Sequence, residues 1–272
     1  MIMKQKILFV TQEITPYLPE SEMSLIGRHL PQGIQEKGKE IRTFMPRFGS
    51  INERRNQLHE VIRLSGMNLI IEDYDHPLII KVASIQSARM QVYFIDNEEF
   101  FKRKATVKDK NGKEFEDNDK RAVFFARGVI ETVKKLCWSP DLVHVHGWFS
   151  AFVPLYLKKS YKDDPLFSDL KVVYSIYEEG FENDLSESVV NTAMFEGVEK
   201  DDLKKLAEKQ DFVTLNKLAI DNSDAVIFGS KNIHPELASY VKEKNIPVLE
   251  YQDPENYVDA YSDFYNKILE AE

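Results

Sequence analysis

Short apolar runs bounded by polar residues recur along the chain and alternate with stretches whose apolar residues have helical spacing. The run "KILFV" at 6–10 is followed by apolar residues three or four positions apart between 23 and 34, then by Gly38 and the run "IRTFM" at 41–45. A continuous apolar run is typical of a strand buried on both faces. Residues 6–45 are therefore predicted to form a βαβ unit with a right-handed crossover in a parallel sheet.

The pattern changes between residues 50 and 100. Strand-like segments occur at 68–73, 77–84 and 90–96, and "YDHP" at 74–77 has the composition of a turn. These segments predict a meander or hairpin inserted into the parallel sheet. The charged stretch at 108–117, with Asn-Gly at its tip, is expected to be an exposed loop.

The strand and helix alternation resumes after residue 119. Helices are predicted over 122–136, 148–159, 200–221, 235–244 and 254–269, and strands over 141–145, 171–176, 224–230 and 247–251. In the last helix, Asp253 is the expected N-cap and Pro254 the first residue. The pattern as a whole predicts an α/β fold: one Rossmann-like, doubly wound, mostly parallel sheet of six or seven main strands.

Composition excludes several classes of function. The net charge is −9 over 272 residues and no long basic stripe occurs, so we expect no nucleic-acid partner. The chain contains no run of eighteen apolar residues, so no membrane-spanning helix and no membrane partner are predicted. Cys137 is the single cysteine, which precludes an internal disulfide and a Cys/His metal cluster and favours the cytoplasm. We expect no metal and no cofactor.

Four loops should line the ligand site, because open parallel sheets bind ligands beyond the carboxyl ends of their strands. They are 11–22, 96–118, 146–149 and 177–184. The first loop lacks the G-x-G-x-x-G pattern of dinucleotide-binding folds. It carries prolines and carboxylates instead, at Pro16, Pro19, Glu20 and Glu22. A phosphate cradle requires free backbone N–H groups and a positive field, so this loop argues against a nucleotide phosphate site.

Five segments, taken in order, resemble bacterial glycogen and starch synthases. They are "ILFVTQEITPYL", "LPQGIQEKGKEIRTFMPRFGSI", "QVYFIDNEEFFKR", "DNDKRAVFFARGVIE" and "WSPDLVHVHGWFSAFVPLYLK". The resemblance extends to about residue 158 and weakens after it. It implies the N-terminal, acceptor-side half of a GT-B glycosyltransferase that moves glucose from ADP-glucose onto an α-1,4-glucan. Residues 1–272 are then expected to form this domain, with helix 254–269 packing back on it and the nucleotide-binding C-terminal domain absent.

The departures from this family pattern occur where the chemistry takes place. The family's "KTGGLAD" loop aligns with residues 19–25, which keep neither its lysine nor its glycines. The family's "HDW" becomes His146, Gly147 and Trp148, and the histidine of its "TIHN" becomes Tyr177. We therefore expect a diverged synthase-like domain of α-glucan metabolism that is not a self-sufficient glucosyltransferase. It would work with a separate nucleotide-sugar-binding subunit or, alternatively, be a pseudoenzyme that binds an α-glucan, a maltooligosaccharide or a partner protein.

No residue is assigned as catalytic, and six are candidates for substrate binding: His146, Trp148, Asp117, Asn118, Arg121 and Tyr93. The resemblance implies that His146 contacts the glucose and that Asp117 holds its hydroxyls. Each has a structural alternative: His146 bonded to a backbone carbonyl, Asp117 paired with Arg121. Trp148 either presents its ring to a sugar or joins helix to sheet, and Tyr93 is either a sugar contact or a core residue.

Overall fold

The computed structural model describes residues 4–271, in which strands and helices alternate except for the run of strands between residues 40 and 96. The strands are β1 (Lys6–Thr11), β2 (Glu40–Pro46), β3 (His59–Glu60), β4 (Met67–Ile71), β5 (Tyr74–Ile85), β6 (Met90–Asp96), β7 (Leu142–His146), β8 (Lys171–Ile176), β9 (Ala225–Phe228) and β10 (Val248–Leu249). The α-helices are α1 (Glu22–Glu36), α2 (Glu98–Phe101), α3 (Asn118–Lys135), α4 (Phe152–Lys158), α5 (Val189–Ala193), α6 (Lys204–Glu208), α7 (Phe212–Asp221), α8 (Pro235–Lys244) and α9 (Tyr257–Glu270).

The strands form one sheet in the order β10-β9-β8-β7-β1-β2-β6-β5-β3, with β4 paired to β5. From β10 to β6 every neighbouring pair is parallel, and β5 adds antiparallel partners on both of its edges. The α/β, mostly parallel fold class is thus confirmed. Its sheet has ten strands rather than six or seven, because the hairpin strands and the two-residue strands β3 and β10 extend it at both ends.

Helices cover both faces of the sheet, as the continuous apolar strands require. On one face, α1 and α9 bury Leu30, Ile34 and Tyr265 against the sheet residues Ile7 and Val173. On the other face, α3, α4 and α7 share a larger core with the β4–β5 hairpin. Both central strands β1 and β7 are buried along almost their whole length, so their carboxyl ends are fixed in position.

The inserted hairpin differs from the sequence prediction at its turn. The turn consists of Glu72 and Asp73, both with positive φ (49° and 66°), and "YDHP" at 74–77 begins strand β5. Positive φ at two successive residues is typical of a tight hairpin turn. The sequence pattern treated Pro77 as a turn residue. In the structure it lies within β5, opposite Asn68 of β4.

Three helix predictions need correction at their limits. The helix expected over 200–221 is interrupted, because Asp211 caps α7 by accepting a hydrogen bond from the backbone N of Thr214. The helix expected over 148–159 begins with a 3-10 turn at Trp148–Ser150. The helix expected to start at Pro254 starts at Tyr257, with Asn256 rather than Asp253 as its N-cap.

The last helix, α9, lies beside α1 on the sheet. A Cβ on Gly33 would come within 2.4 Å of a methyl carbon of Val258, so the two helices approach as closely as glycine allows. Lys37 at the end of α1 forms an ion pair with Asp259, at 2.6 Å. The side chains of α9 therefore reach the centre of the sheet. None of the helices within residues 4–271 is both long and apolar enough to cross a membrane.

Candidate functional site

The four predicted loops meet at the carboxyl edge of the parallel strands. The side-chain oxygen of Gln12 lies 3.3 Å from the backbone N of Phe149, which joins the loops after β1 and β7. Glu114 accepts hydrogen bonds from the backbone N of Glu182 and of Asn183, at 2.9 and 3.0 Å. The loops after β6 and β8 are thereby joined as well, and the edge forms one continuous surface.

His146 is the last residue of β7 and lies beneath this surface, 1% exposed. Its Nδ1 is 2.8 Å from the hydroxyl oxygen of Tyr177, and its Nε2 has no hydrogen-bond partner among residues 4–271. The expected alternative, a bond to a backbone carbonyl, is not what the structure has. Burial lowers the pKa of His146 to about 3, so the imidazole is neutral at physiological pH. It can exchange a hydrogen bond but cannot supply positive charge.

His144 lies two residues earlier on the same strand face, and its ring centre is 3.7 Å from that of His146. Both of its ring nitrogens are occupied: Nδ1 contacts the hydroxyl of Tyr265 on α9, and Nε2 lies 2.6 Å from Oγ of Ser175. Burial and the neighbouring His146 lower the pKa of His144, which is therefore neutral too. These bonds fix the ring against which His146 rests.

Four neutral side chains at the end of β7 and in the adjoining loops each retain one buried polar atom without a partner among the described residues. They are Nε2 of His146, Nε1 of Trp148, Oγ of Ser150 and Nε2 of Gln12. Each unpaired buried group of this kind costs about 1–3 kcal/mol. Trp148 also packs edge-on against Phe181, with ring centres 4.8 Å apart, so it does join the helical segment to the sheet-edge loop.

Gly147 lies between these residues in a conformation that other residues avoid, with φ 77° and ψ 162°. A Cβ at this position would lie 2.7 Å from Cε and 3.0 Å from Sδ of Met23. The position that carries an aspartate in the family's "HDW" is thus filled from the side by a methionine of α1.

The beginning of α1 is neutralised by the protein's own carboxylate. Ser21 is the N-cap of this helix and exchanges capping hydrogen bonds with Ser24. Glu22, in the first turn, accepts a 2.6 Å hydrogen bond from Oγ of Ser230 across the edge. Ser21 also donates to a carboxylate oxygen of Glu13, at 2.7 Å. A helix N-terminus attracts anions, and here the anion is Glu22.

Glu179 adds to the acidic character of this edge. The surrounding protein, followed by the carboxylate of Glu13, raises the pKa of Glu179 to about 7, although its side chain still meets solvent. Glu178 is exposed beside it, and the carboxyl group that acts on the pKa of Glu179 is that of Glu13 rather than that of Glu178. The edge therefore combines neutral hydrogen-bonding groups with carboxylates.

Asp117, Asn118 and Arg121 lie together at the start of α3. Asp117 forms a two-pronged ion pair with Arg103, at 2.6 and 2.9 Å, so the expected pairing with Arg121 is wrong. Arg121 is fully buried and donates instead to Asn118 and to the carbonyl of Phe100. Burial lowers the pKa of Arg121 to about 9.

This group adjoins the β7 edge through one aromatic side chain. The guanidinium carbon of Arg121 lies 5.7 Å from the ring centre of Phe149, which follows Trp148 in the chain. Tyr93 does not belong to either group. Its ring stacks on Phe44 within the sheet, and its hydroxyl accepts a 2.7 Å hydrogen bond from Arg42 near the opposite edge.

Gln12, Ser150, Tyr177 and the pair Glu22–Ser230 were not among the predicted site residues. Tyr177 replaces a family histidine, and that departure is a signal that could have identified it. The bond between Glu22 and Ser230 joins residues 208 positions apart, which no local pattern reveals. Among residues 4–271, no group of three or more His, Cys, Asp or Glu side chains is arranged to hold a metal ion.

Residues 6–246 match the family described as "Starch synthase catalytic domain". Glycogen synthase of Chlorobium luteolum is 32% identical over 228 residues, which is 83% of this chain and 46% of that protein. Glycogen synthase of Chlorobium limicola is 37% identical over 179 residues, 64% of this chain and 37% of that protein. The chain thus spans less than half the length of these relatives.

A solved structure shares the fold. It is the catalytic domain of starch synthase IV from Arabidopsis thaliana, bound to ADP and acarbose, with a TM-score of 0.71 and 18% identity. The superposition covers 94% of this chain and 53% of the plant protein. This shared fold agrees with the GT-B resemblance of the sequence.

Proposed function

Because the chain belongs to the starch synthase catalytic domain family, we propose that it acts in α-1,4-glucan metabolism by holding an α-glucan or maltooligosaccharide. The binding surface is the carboxyl edge of the sheet, around His146 and Trp148. We further propose that residues 1–272 form a diverged, acceptor-side domain that does not by itself transfer glucose from ADP-glucose. In this sense the domain is a pseudoenzyme.

The observation that carries the proposal is the set of four unpartnered polar atoms on Gln12, His146, Trp148 and Ser150. All four belong to neutral side chains, and buried polar groups normally have partners. A ligand rich in hydroxyl groups supplies donors and acceptors for such atoms without adding charge. The rings of Trp148 and Phe181 pack on each other beside these atoms, 1% and 8% exposed, and form the apolar floor of the edge.

Electrostatics supports the second half of the proposal. A nucleotide sugar carries a diphosphate, which is best held by cations and free backbone N–H groups. Here Ser21 caps the helix terminus, Glu22 lies in its first turn, and Glu13 and Glu179 add carboxyl groups nearby. The neutral His146 does not compensate for them. Losing one good transition-state donor costs roughly 2.7–4 kcal/mol, and residues 19–25 carry Glu20 and Glu22 in place of the lysine and glycines of "KTGGLAD".

Titration calorimetry of the full chain tests both halves. Maltoheptaose is expected to bind with Kd between about 10 μM and about 1 mM, the latter worth roughly −4 kcal/mol. ADP-glucose is expected to bind no more tightly than about 1 mM. Tighter ADP-glucose binding would overturn the electrostatic argument, and the absence of maltoheptaose binding would overturn the assignment of the glucan ligand, leaving partner-protein binding.

A matched pair of variants locates the site. Trp148→Phe keeps an aromatic ring but removes the unpartnered N–H, and should weaken maltoheptaose binding about 2–10-fold, as expected for one neutral hydrogen bond. Trp138→Phe is the control, because the N–H of Trp138 is already engaged by Glu40 at 2.5 Å, away from the candidate edge. Equal affinity losses in the two variants would contradict the proposed location.

A second function is glucosyl transfer together with a separate nucleotide-sugar-binding subunit. The unpartnered Nε2 of His146 favours it, because the resemblance gives this histidine a contact with the transferred glucose. The test mixes the chain with a separately expressed nucleotide-binding half of a glycogen synthase and follows labelled glucose from ADP-glucose into glycogen. Transfer in the mixture that His146→Gln abolishes would support this function over the non-catalytic one.

A further inference from the structure

A cavity of about 430 Å³ lies at the opposite edge of the sheet from the candidate site. It opens where β2 and β6 begin and β5 ends, beside the 3-10 turn Gln86–Ala88 and the last turn of α1. Its polar lining consists mainly of Arg42, Arg89, Tyr93, Gln35, Gln86 and Gln91. None of the described residues that line it is acidic.

Arg42 is held in this cavity by aromatic rings. Its guanidinium carbon lies 5.1 Å from the ring centre of Trp138 and 5.8 Å from that of Tyr93. Its Nη1 donates to the hydroxyl of Tyr93 at 2.7 Å, while its buried Nε has no acceptor among residues 4–271. Rings fix the orientation of a guanidinium but do not neutralise it. Its charge is therefore available to a ligand.

Two further arginines surround the same turn. Arg89 ends the turn with a positive φ of 49°, uncommon for a residue other than glycine, and its side chain is exposed. Arg28 on α1 donates to Oγ of Ser87 within the turn, at 3.1 Å. Within the described part of the chain, the arginines in ion pairs with carboxylates are Arg47 and Arg103. The three arginines at this turn are thus left without acidic partners in a protein of net charge −9.

We propose that this cavity binds a small phosphate ester that also carries hydroxyl groups. A planar guanidinium matches the oxygens of a phosphate and donates two parallel hydrogen bonds to them. The side-chain amides of Gln35, Gln86 and Gln91 match neighbouring hydroxyl groups. The volume lies within the range of small-molecule pockets, roughly 300–1,000 Å³, and leaves room for more than a bare oxyanion.

Calorimetry at low salt with three probes tests the proposal: ribose 5-phosphate, inorganic phosphate and ribose. Ribose 5-phosphate is expected to bind, inorganic phosphate to bind more weakly, and ribose not to bind. Arg42→Gln and Arg89→Gln should each weaken ribose 5-phosphate binding about 10-fold or more, as expected for a charged hydrogen bond. Arg89 is exposed, so its variant remains informative if Arg42→Gln does not fold.

Arg63→Gln is the matched control, because it removes the same charge from an exposed arginine that does not line the cavity. A loss of affinity in this control equal to that in Arg42→Gln would show non-specific attraction and overturn the site. The absence of ribose 5-phosphate binding at about 10 mM would overturn the proposal as well. Equal affinities for phosphate and ribose 5-phosphate would overturn the role of the hydroxyl groups. Maltoheptaose binding should be unchanged in all these variants. The outcome for this cavity is therefore independent of the outcome for the proposed function.

Discussion

Gly147→Asp tests whether the site could be returned to the family's "HDW" by one substitution. We expect that it cannot, because the backbone of Gly147 has φ 77° and ψ 162°, a region essentially confined to glycine. A side chain there would also meet Met23, whose Cε would be 2.7 Å from the new Cβ. Met23 is buried, so its flexible end must be repacked to make room for the new side chain.

The two effects give separate magnitudes. Forcing another residue into a glycine-only backbone region costs about 1–3 kcal/mol. Inserting extra atoms into a packed interior costs about 1–3 kcal/mol more. The free energy of unfolding of Gly147→Asp should therefore fall by about 2–6 kcal/mol. Such a loss is a large part of the stability of an ordinary domain.

Guanidinium unfolding measures this loss, and the chain offers a matched control. Gly38 also has a positive φ, 90°, but nothing lies within 4 Å of a Cβ built on it. Gly38→Asp should therefore show backbone strain alone and unfold at a higher denaturant concentration than Gly147→Asp. A Gly147→Asp variant within about 0.5 kcal/mol of wild type, the spread of ordinary surface substitutions, would refute the steric argument.

Three further stability predictions follow from other contacts. Burial raises the pKa of Asp119 to about 6, so its ionised form opposes folding above that pH. Asp119→Asn should therefore stabilise the protein by about 1–3 kcal/mol near pH 8 and lose this advantage below about pH 4. Urea titrations at the two pH values measure the difference. Glu22→Gln should lower the unfolding free energy by about 1 kcal/mol in guanidinium, because the bond to Ser230 and the helix-dipole interaction both weaken; an unchanged midpoint would contradict this. Tyr265→Phe should cost about 1–3 kcal/mol in the same assay by leaving Nδ1 of His144 without its partner, and a neutral effect would mean that the ring is held by packing alone.

The sequence was sufficient for those parts of the fold that local periodicity controls. The apolar runs "KILFV" and "KVVYSI" became the buried strands β1 and β8 with nearly the predicted limits. A short, continuously apolar segment buries its side chains on both faces and pairs its backbone groups by lying inside a parallel sheet. The pattern therefore determines the structure of such a segment. The rule that ligands bind at the carboxyl ends of the strands likewise identified the four loops that meet at one edge.

Local patterns failed where a polar side chain competes with the helix or turn. Asp211 ends one helical segment and caps the next, although the apolar spacing continues through it. Pairing between distant residues was also out of reach. Asp117 has Arg121 at helical spacing, yet it pairs with Arg103, because Arg121 is drawn into a pocket of aromatic rings behind Asn118.

The two edges of the sheet differ in the charge of the groups that they offer to a ligand. The difference matters because residues 19–25, at the carboxyl edge, keep neither the lysine nor the glycines of "KTGGLAD". Around His146 at the carboxyl edge the unpartnered polar groups are neutral, and Glu22 lies in the first turn of α1. At the amino edge Arg42 and Arg89 line a cavity without any acid among its described residues. We therefore expect an anion and a neutral sugar chain to prefer different sites on the same domain. Binding at one edge need not compete with binding at the other, because the sheet lies between them.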